Sequence, residues 1–468
     1  MEIIESIIFL LAIGLLLMLV TVKKIKKRYL VISQVITIIL GILYLIYGAI
    51  LWQLYPLYLA IFLMTFLVLL TLFSADLVHR FRKTRTVFFM FLILLIIISV
   101  GLKYAFPIYE IPSPTGLYSI GTESFVLVDE TREELYGSED KRKIKIQIWY
   151  PTEETQAYAL VPWLEDGQIV ARGLAKDTGL PYFVLDHTAL IMSNSYDEAP
   201  ISHSLEQYPV VVISHGWRGF RNIHTDLAEE LASSGYIVIS IDHTYGSVAT
   251  VFSDDDIAFV NLDALPSSTD KTEFLVYANT LVNTYAGDIV QTLDYLEKVN
   301  LGEVKSQFEG KLDLTSIGLM GHSTGGGANV AVALSDTRIK AIFGMDAWVE
   351  PIYTDEIDKG LDIPAVFLRS ESWETGINNV NLMSLVNSNI ENIQLFQIEG
   401  TTHYDFSMAY MYSPLTKPLG MTGELNGDEI VEILTNMMTD FFNQTLKETS
   451  TFDPIIIETP WTEVIEVN

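Results

Sequence analysis

The sequence has no cysteine, and this absence removes a whole class of chemistry. Without cysteine the chain has no disulfides, no thiolate nucleophile and no Cys-ligated metal site. Basic residues are also scarce, since 29 Lys and Arg face 58 Asp and Glu. Ten of the basic residues but only three of the acidic ones precede position 107. The remainder is therefore strongly acidic, which argues against binding to the phosphates of nucleic acids.

The first part of the chain is made of four long apolar runs, at residues 3–22, 29–52, 54–73 and 87–106. Each approaches or exceeds the roughly 20 residues that cross a bilayer core. A cleaved signal peptide is disfavoured for the first run, because Glu2 and Glu5 stand where such a peptide has Lys or Arg. We therefore predict a four-helix transmembrane anchor over residues 1–106.

Two of the connections between these runs are rich in basic residues: Lys23, Lys24, Lys26, Lys27 and Arg28 in one, and Arg80, Arg82, Lys83 and Arg85 in the other. Short loops of this kind are retained in the cytoplasm. The chain is thus predicted to be a multi-pass protein of the cell membrane, with everything after residue 106 outside the cytoplasm. The apolar centres of these runs contain almost no charge, and only Asp76, near the end of a run, offers an ionisable group for a transport pathway. Anchoring is therefore favoured over transport.

Beyond residue 106, apolar strands alternate with helices. A hairpin is predicted at 124–129 and 143–150, and residues 152–207 are irregular, either a lid or lipid-facing surface or packing over the core. Further strands are predicted at 209–214, 236–242, 316–321, 339–345, 364–369 and 393–398, with long helices at 273–299 and 428–446. This pattern predicts an α/β fold, a mostly parallel sheet with helices on both faces, over residues 107–447. Residues 448–468 form an acidic C-terminal tail.

The segment from Gly321 to Gly325, Gly-His-Ser-Thr-Gly, follows an apolar strand and precedes a helix-forming run. This is the pattern of a nucleophile elbow, a turn so tight that the flanking positions must lack side chains. Ser323 is the candidate nucleophile. The alternative is a glycine-rich turn without chemistry, because the five-residue motif occurs by chance in long chains.

Two further polar residues follow strands in the order that α/β-hydrolases use, namely serine, acid, histidine. Asp346 closes the strand after the elbow, and His403 lies in the loop after the last predicted strand. A serine hydroxyl needs an imidazole to take its proton, and the imidazole needs a carboxylate to orient it. Glu371, after the strand at 364–369, is the rival acid.

A hydrolase of this kind also needs two backbone N–H groups directed at the developing oxyanion. The residue after the nucleophile, Thr324, supplies one of them in this class of fold. The loop after the strand at 209–214 supplies the other, and we assign it to Trp217. His215 and Gly216 precede Trp217, and the glycine permits close approach of the loop.

Several separated segments resemble the platelet-activating factor acetylhydrolase family, plasma and intracellular type II. They are Pro209-Val-Val-Val-Ile-Ser-His-Gly-Trp-Arg-Gly-Phe-Arg221, Leu231-Ala-Ser-Ser-Gly-Tyr-Ile-Val, Gly321-His-Ser-Thr-Gly-Gly and Met345-Asp-Ala-Trp348. The resemblance covers roughly residues 112–442 and implies an α/β-hydrolase fold with Ser323, Asp346 and His403 as the triad. It also implies a calcium-independent esterase that cleaves short or oxidised acyl chains from phospholipids.

Two features depart from the family. Thr324 stands where the animal enzymes have an aromatic residue, and Trp217-Arg218 replaces a smaller pair.

Taken together, these patterns predict a membrane-anchored serine ester hydrolase that needs no cofactor and no metal, with an ester or lipid substrate. The alternatives are a general carboxylesterase, a polyester or dienelactone-type hydrolase, and a non-catalytic extracytoplasmic sensor module.

Overall fold

A computed structural model describes residues 2–21, 27–48, 50–73, 82–138, 140–267, 270–449 and 461–467. The chain divides into two compact units, Met1–Ile108 and Tyr109–Asn468. Several residues used in the topology prediction lie outside the described residues: Lys23, Lys24, Lys26, Asp76 and Arg80. The orientation of the chain across a membrane therefore stays a prediction.

The first unit is helical, as the apolar runs predict. Its helices are α1 (Glu2–Thr21), α2 (Lys27–Tyr47), α3 (Tyr55–Phe73) and α4 (Arg82–Ala105). By length and composition four segments are able to cross a membrane: Ile3–Val20, Lys27–Tyr47, Trp52–Leu70 and Thr86–Ala105. Pro56 falls in the first turn of α3, where a missing N–H breaks no helical hydrogen bond.

Two polar contacts of one carboxylate connect the ends of three of these helices. The carboxylate of Glu5 in α1 accepts a hydrogen bond of 2.5 Å from the hydroxyl of Tyr44 in α2. The same carboxylate lies 2.7 Å from the ammonium of Lys103 in α4. A charge that faces other helices needs such partners in an apolar unit, so these residues hold the helix ends together.

The second unit is built on one large sheet. Its strands are β1 (Ser119–Asp129), β2 (Arg142–Thr152), β3 (Leu160–Pro162), β4 (Met192–Asp197), β5 (Tyr208–Ser214), β6 (Ile237–Asp242), β9 (Leu312–His322), β10 (Ile339–Met345), β11 (Ala365–Ser370), β12 (Ile393–Ile398) and β13 (Val464–Glu466). A separate hairpin consists of β7 (Ala249–Ser253) and β8 (Asp256–Phe259). The order in the sheet is β13-β12-β11-β10-β9-β5-β6-β2-β1-β4-β3.

The six central strands from β12 to β6 run parallel to one another. The helices that cover the sheet and its loops are α5 (Gly167–Asp177), α6 (Thr225–Ser233), α7 (Lys271–Asn300), α8 (Thr324–Ala333), α9 (Thr354–Ile357), α10 (Ile377–Ser388) and α11 (Gly427–Lys447). Parallel strands of this kind are buried on both faces, and the predicted α/β-hydrolase architecture is confirmed.

Alternation along the strands divides the core into two layers. Val210 and Val212 of β5 pack with the apolar face of α7, whereas Val211 and Ile213 pack with α6 and α11. Successive side chains of a strand point to opposite faces, so one short apolar run serves both layers. Asp270 caps the N-terminus of the 30-residue helix α7, and its side chain accepts hydrogen bonds from the N–H groups of Thr272 and Glu273.

The predicted strands and long helices are found within a few residues of their expected bounds, but the section at 152–207 is more regular than expected. It contains β3, α5 and β4, and β4 pairs in parallel with β1. Trp163 and Leu164 are buried, whereas Tyr182 and Phe183 are exposed. Part of the section therefore packs over the core, which was one of the two predictions for residues 152–207.

The far end of the chain reaches the edge of the sheet. Val464 is buried, and β13 pairs antiparallel with β12 from Phe396 to Ile398. Residues 450–460, which connect α11 to this strand, lie outside the described residues. The domain bounds stated above remain predictions.

Candidate active site

The turn between β9 and α8 holds Ser323 in a strained backbone conformation. Its φ of 55° and ψ of −121° lie outside the helical and extended regions, as expected for a nucleophile elbow. A Cβ atom on Gly325 would lie only 2.1 Å from the carbonyl oxygen of Ser214. The N–H of Ser323 donates to the carbonyl oxygen of Met345 at 3.0 Å. Close packing and this hydrogen bond to β10 therefore hold Ser323 at the N-terminus of α8.

Asp346 and His403 form a hydrogen-bonded pair at the ends of β10 and β12. Nδ1 of His403 lies 2.9 Å from Oδ2 of Asp346. The N–H of Ser370 donates to Oδ1 at 2.7 Å, and the Ser370 hydroxyl donates to Oδ2 at 2.6 Å. These bonds satisfy a carboxylate that is buried. Because the carboxylate accepts a hydrogen bond from the N–H at Nδ1, Nε2 of His403 carries a lone pair and can accept a proton.

Ser323 and His403 line one cavity of about 450 Å³. The walls of this cavity also include Trp217, His322 and Met421. Its volume lies in the range of small-molecule sites. Asp346 is not among the residues that line the cavity. It contacts the imidazole ring of His403, which does line it. A serine and a histidine thus face a common space, and a carboxylate is hydrogen-bonded to the histidine.

The predicted oxyanion donors lie side by side at the elbow. The N–H of Trp217 donates to the hydroxyl oxygen of Thr324 at 3.3 Å, and Thr324 is the first residue of α8. Gly216 approaches the elbow so closely that a Cβ atom there would lie 2.9 Å from Cβ of Ser323. The loop after β5 is thus in contact with the candidate nucleophile.

Ion pairs hold this loop in place. Arg218, which has a φ of 65°, binds Asp177 at the end of α5 at 2.5 Å. Arg221 is buried, and its N–H and guanidinium both bind Asp242, at 2.8 Å and 2.5 Å. Its other guanidinium nitrogen contacts Glu165 at 2.6 Å. Although burial alone would raise it, the charge of Arg221 and that of a neighbouring lysine hold the pKa of Glu165 at about 2.

Two histidines that follow strands, His215 and His243, have a different environment. His243 stacks on Tyr285 at 3.7 Å and bonds to Asp288 at 3.0 Å. Burial lowers the pKa of His243 to about 3, although Asp288 acts in the opposite direction. Burial also lowers the pKa of His215, whose Nε2 lies 2.8 Å from the Ser247 hydroxyl. Both rings belong to a buried hydrogen-bonded network at the start of the β5 loop, and burial favours their neutral forms.

The rival acid, Glu371, has another partner. Its Oε2 accepts the N–H of Gly400 at 2.7 Å, in the loop that leads to His403. Two residues further on, the ring of Trp373 stacks on the ring of His403. This contact was not predictable from any motif, and the one signal for it in the sequence is the position of Trp373 just after a strand whose end faces the site.

Among the described residues, no three His, Asp or Glu side chains come together in a way that could hold a metal ion. That the reaction needs neither a metal nor a cofactor stays a prediction.

Comparisons with known proteins agree on one family and one fold. The sequence model of "Platelet-activating factor acetylhydrolase, isoform II" matches residues 104–456. The platelet-activating factor acetylhydrolase of Gallus gallus is 24% identical over 373 residues, 74% of this chain and 86% of that protein. The corresponding protein of Canis lupus familiaris is 26% identical over 317 residues, 64% and 68% of the two chains.

A fungal protein and a solved structure extend these comparisons. A probable 1-alkyl-2-acetylglycerophosphocholine esterase of Arthroderma benhamiae is 26% identical over 153 residues, 33% of this chain and 34% of that one. The solved ferulic acid esterase of Streptomyces cinnamoneus superimposes with a TM-score of 0.63 at 22% identity, covering 77% of this chain and all of that one. At this identity the structural likeness shows the fold alone.

Proposed function

The chain belongs to the platelet-activating factor acetylhydrolase, isoform II, family and is a carboxylic ester hydrolase, and from this premise we propose that it acts through a serine nucleophile on lipid-like esters with short acyl chains. The observation that carries the mechanism is the shared cavity. Ser323 stands at a strained elbow and faces the same space as His403, whose other nitrogen binds Asp346.

In the first half of the reaction, Nε2 of His403 removes the proton of the Ser323 hydroxyl. Oγ attacks the ester carbonyl carbon, and the carbonyl oxygen becomes an oxyanion. We assign the stabilisation of this charge to the N–H groups of Trp217 and Thr324; the Trp217 N–H then exchanges its bond to the Thr324 hydroxyl for one to the oxyanion. Each such donor is worth on the order of a hundred- to a thousandfold in turnover. Collapse of the tetrahedral intermediate breaks the bond to the alkoxide, which takes the proton from His403 and leaves as the alcohol. Water then hydrolyses the acyl-enzyme with the same base.

The substrate class is inferred from the relatives. The proteins of Gallus gallus and Canis lupus familiaris are platelet-activating factor acetylhydrolases, and the fungal relative is named as an esterase of 1-alkyl-2-acetylglycerophosphocholine. These names indicate an acetyl ester of a glycerophospholipid. A four-helix anchor over residues 1–106 would keep a catalytic domain at residues 107–447 beside a bilayer, where such lipids are found.

An ester series tests this proposal on the full-length protein in detergent. We expect p-nitrophenyl acetate and butyrate to be cleaved much faster than palmitate. Likewise, phosphatidylcholine with a short sn-2 chain should be cleaved faster than one with two long chains. EDTA should leave the rates unchanged. A preference for palmitate would contradict the short acyl pocket, and strong inhibition by EDTA would contradict the metal-free mechanism. Ser323→Ala provides the background rate.

A further inference from the structure

The imidazole ring of His403 lies between two other rings. The indole of Trp373 is stacked on one face, with a centroid distance of 4.3 Å and an interplanar angle of 3°. The ring of His322 lies against His403 at 4.4 Å and 36°. Asp346 holds the Nδ1 edge at the same time. The ring is therefore fixed by contacts to its plane as well as by the hydrogen bond at its edge.

One short segment after β11 contacts both members of the Asp346–His403 pair. Ser370 donates two hydrogen bonds to the carboxylate of Asp346. The hydroxyl of Ser372 lies 2.9 Å from that of Ser370. Trp373 ends the same segment and stacks on His403. The two ends of this four-residue segment therefore contact the two members of the pair, Ser370 the carboxylate and Trp373 the ring.

The two rings that contact His403 differ in their electrostatics. Burial, and after it the neighbouring rings of His403 and His224, hold the pKa of His322 well below its usual value. A neutral His322 that carries its proton on Nε2 donates to the carbonyl oxygen of His403, which lies 3.0 Å away. It therefore adds no positive charge beside His403. The face of a tryptophan, by contrast, is the side chain surface that attracts a cation most strongly.

Further charged and titratable groups around His403 belong to the ends of β9 and β10, to the segment of His403 itself, and to the end of β11, where Arg369 contacts Gln397 and Glu371 accepts the N–H of Gly400. Asp346 follows β10, and His322 ends β9 with His224 beyond it. Tyr404 and Asp405 belong to the segment of His403 itself. Burial raises the pKa of Asp405, and its carboxylate accepts the N–H groups of Thr402 and Gly423. Asp346 is thus the carboxylate that binds the ring, and Trp373 provides the aromatic face.

We propose that Trp373 is a positioning residue for ester hydrolysis, which fixes the ring of His403 and stabilises the imidazolium that this ring becomes. This inference rests on the proposed function. When the O–H bond of Ser323 breaks, its electron pair forms the bond to the ester carbon and its proton moves to Nε2 of His403. The cation then lies against the indole until the proton passes to the leaving alkoxide. The contact is stronger in the transition state than in the resting enzyme, so it lowers the barrier.

The test is the pH dependence of p-nitrophenyl acetate hydrolysis by the full-length protein in detergent. Trp373→Leu should lower kcat about 3- to 30-fold with little change in KM, since one cation–π contact is lost in the transition state. The acid limb of the kcat/KM profile should move to lower pH by roughly half a unit, because the protonated ring is less stabilised. Trp373→Phe, which keeps an aromatic face, should lie between Leu and wild type.

Trp461→Leu is the matched control, because Trp461 is also partly buried but packs against the core layer that includes Phe396 and Val464. It should leave the rate and the profile unchanged. The proposal is overturned if Trp373→Leu keeps the wild-type rate and acid limb. The proposal is also overturned if the Leu and Phe variants lose the same fraction of kcat while the acid limb of the kcat/KM profile stays in place. Such a result would mean that Trp373 contributes only by packing. If the Leu variant does not fold, the smaller shift in the Phe variant decides. A wild-type protein without Ser323-dependent hydrolysis would refute the proposed function itself.

Discussion

Ser323, Asp346 and His403 are proposed to act on a single proton, and this gives a specific pattern of mutant effects. Ser323→Ala and His403→Ala should each lower kcat on the order of a millionfold, and Asp346→Asn somewhat less. Double variants should lose no more than the worse single variant, because the groups work as one unit. Steady-state kinetics on folded protein, checked by circular dichroism, measures these losses.

Glu371→Gln is the control for the acid. Its carboxylate holds the N–H of Gly400 and not the ring of His403, so the variant should keep most of the activity. If Glu371→Gln were inactive while Asp346→Asn stayed active, the assignment of Asp346 would be wrong, although Ser323 would stand.

The sequence predicts which side chains follow strands but not which of them touch. Ser323, Asp346 and His403 were identified by their order along the chain, and the structure brings Asp346 and His403 into contact. Their catalytic roles stay predictions. The hydrogen bonds of Ser370 and the stacking of Trp373 depend on how two loops fold over each other. No local periodicity encodes such contacts.

The loop between β5 and α6 depends on a buried ion pair. Asp242 has a fully buried side chain and binds Arg221 through both the backbone N–H and the guanidinium. Arg221→Leu should lower the free energy of unfolding by about 3–5 kcal/mol, because it leaves a buried carboxylate without its cation. Thermal unfolding followed by tryptophan fluorescence measures the effect.

Arg338→Leu is the matched control for this loss. Arg338 is partly exposed and pairs with Asp336, Asp294 and Glu297 near the surface. Exposed pairs contribute at most about 1 kcal/mol each, and many contribute almost nothing, so the control should lose clearly less stability than Arg221→Leu. Equal destabilisation by the two variants would mean that the Arg221 network does not anchor the loop.

The start of α8 packs against the end of β5 with no space for a side chain. Gly325→Ala would place Cβ 2.1 Å from a backbone oxygen, so we expect a loss of about 1–3 kcal/mol in stability and a severe loss of activity. Gly101→Ala, where nothing lies within 4 Å of the added atom, should be neutral. Full activity in Gly325→Ala, measured with p-nitrophenyl acetate, would show that the elbow tolerates a wider turn.

The strands of the central sheet were predictable because each is a short apolar run between turns. Strand β4 was not, since its sequence is Met-Ser-Asn-Ser-Tyr-Asp. Its inward side chains Ser193 and Ser195 are polar, and the Ser195 hydroxyl donates to the buried carboxylate of Glu229 in α6. A strand whose buried face is satisfied by hydrogen bonds has no apolar alternation to reveal it.

The full chain combines a basic, apolar first part with an acidic remainder. The basic loops near residues 23–28 and 80–85 predict that both chain ends lie outside the cytoplasm. Protease added to intact cells should therefore remove the hydrolase unit and leave a helical fragment. Immunoblotting with tags at both ends measures this. Full protection of the unit, while a known surface protein is digested, would reverse the orientation.

The most direct measurement is covalent labelling of the full-length protein with a fluorophosphonate, followed by mass spectrometry. A serine activated by His403 should attack the phosphorus, displace fluoride and retain one phosphonyl group per chain. We expect the label on Ser323 alone, with esterase activity lost in proportion to labelling, and neither label nor activity in Ser323→Ala. Full activity in a completely labelled protein, or hydrolysis by Ser323→Ala at the wild-type rate, would contradict a serine mechanism at this site.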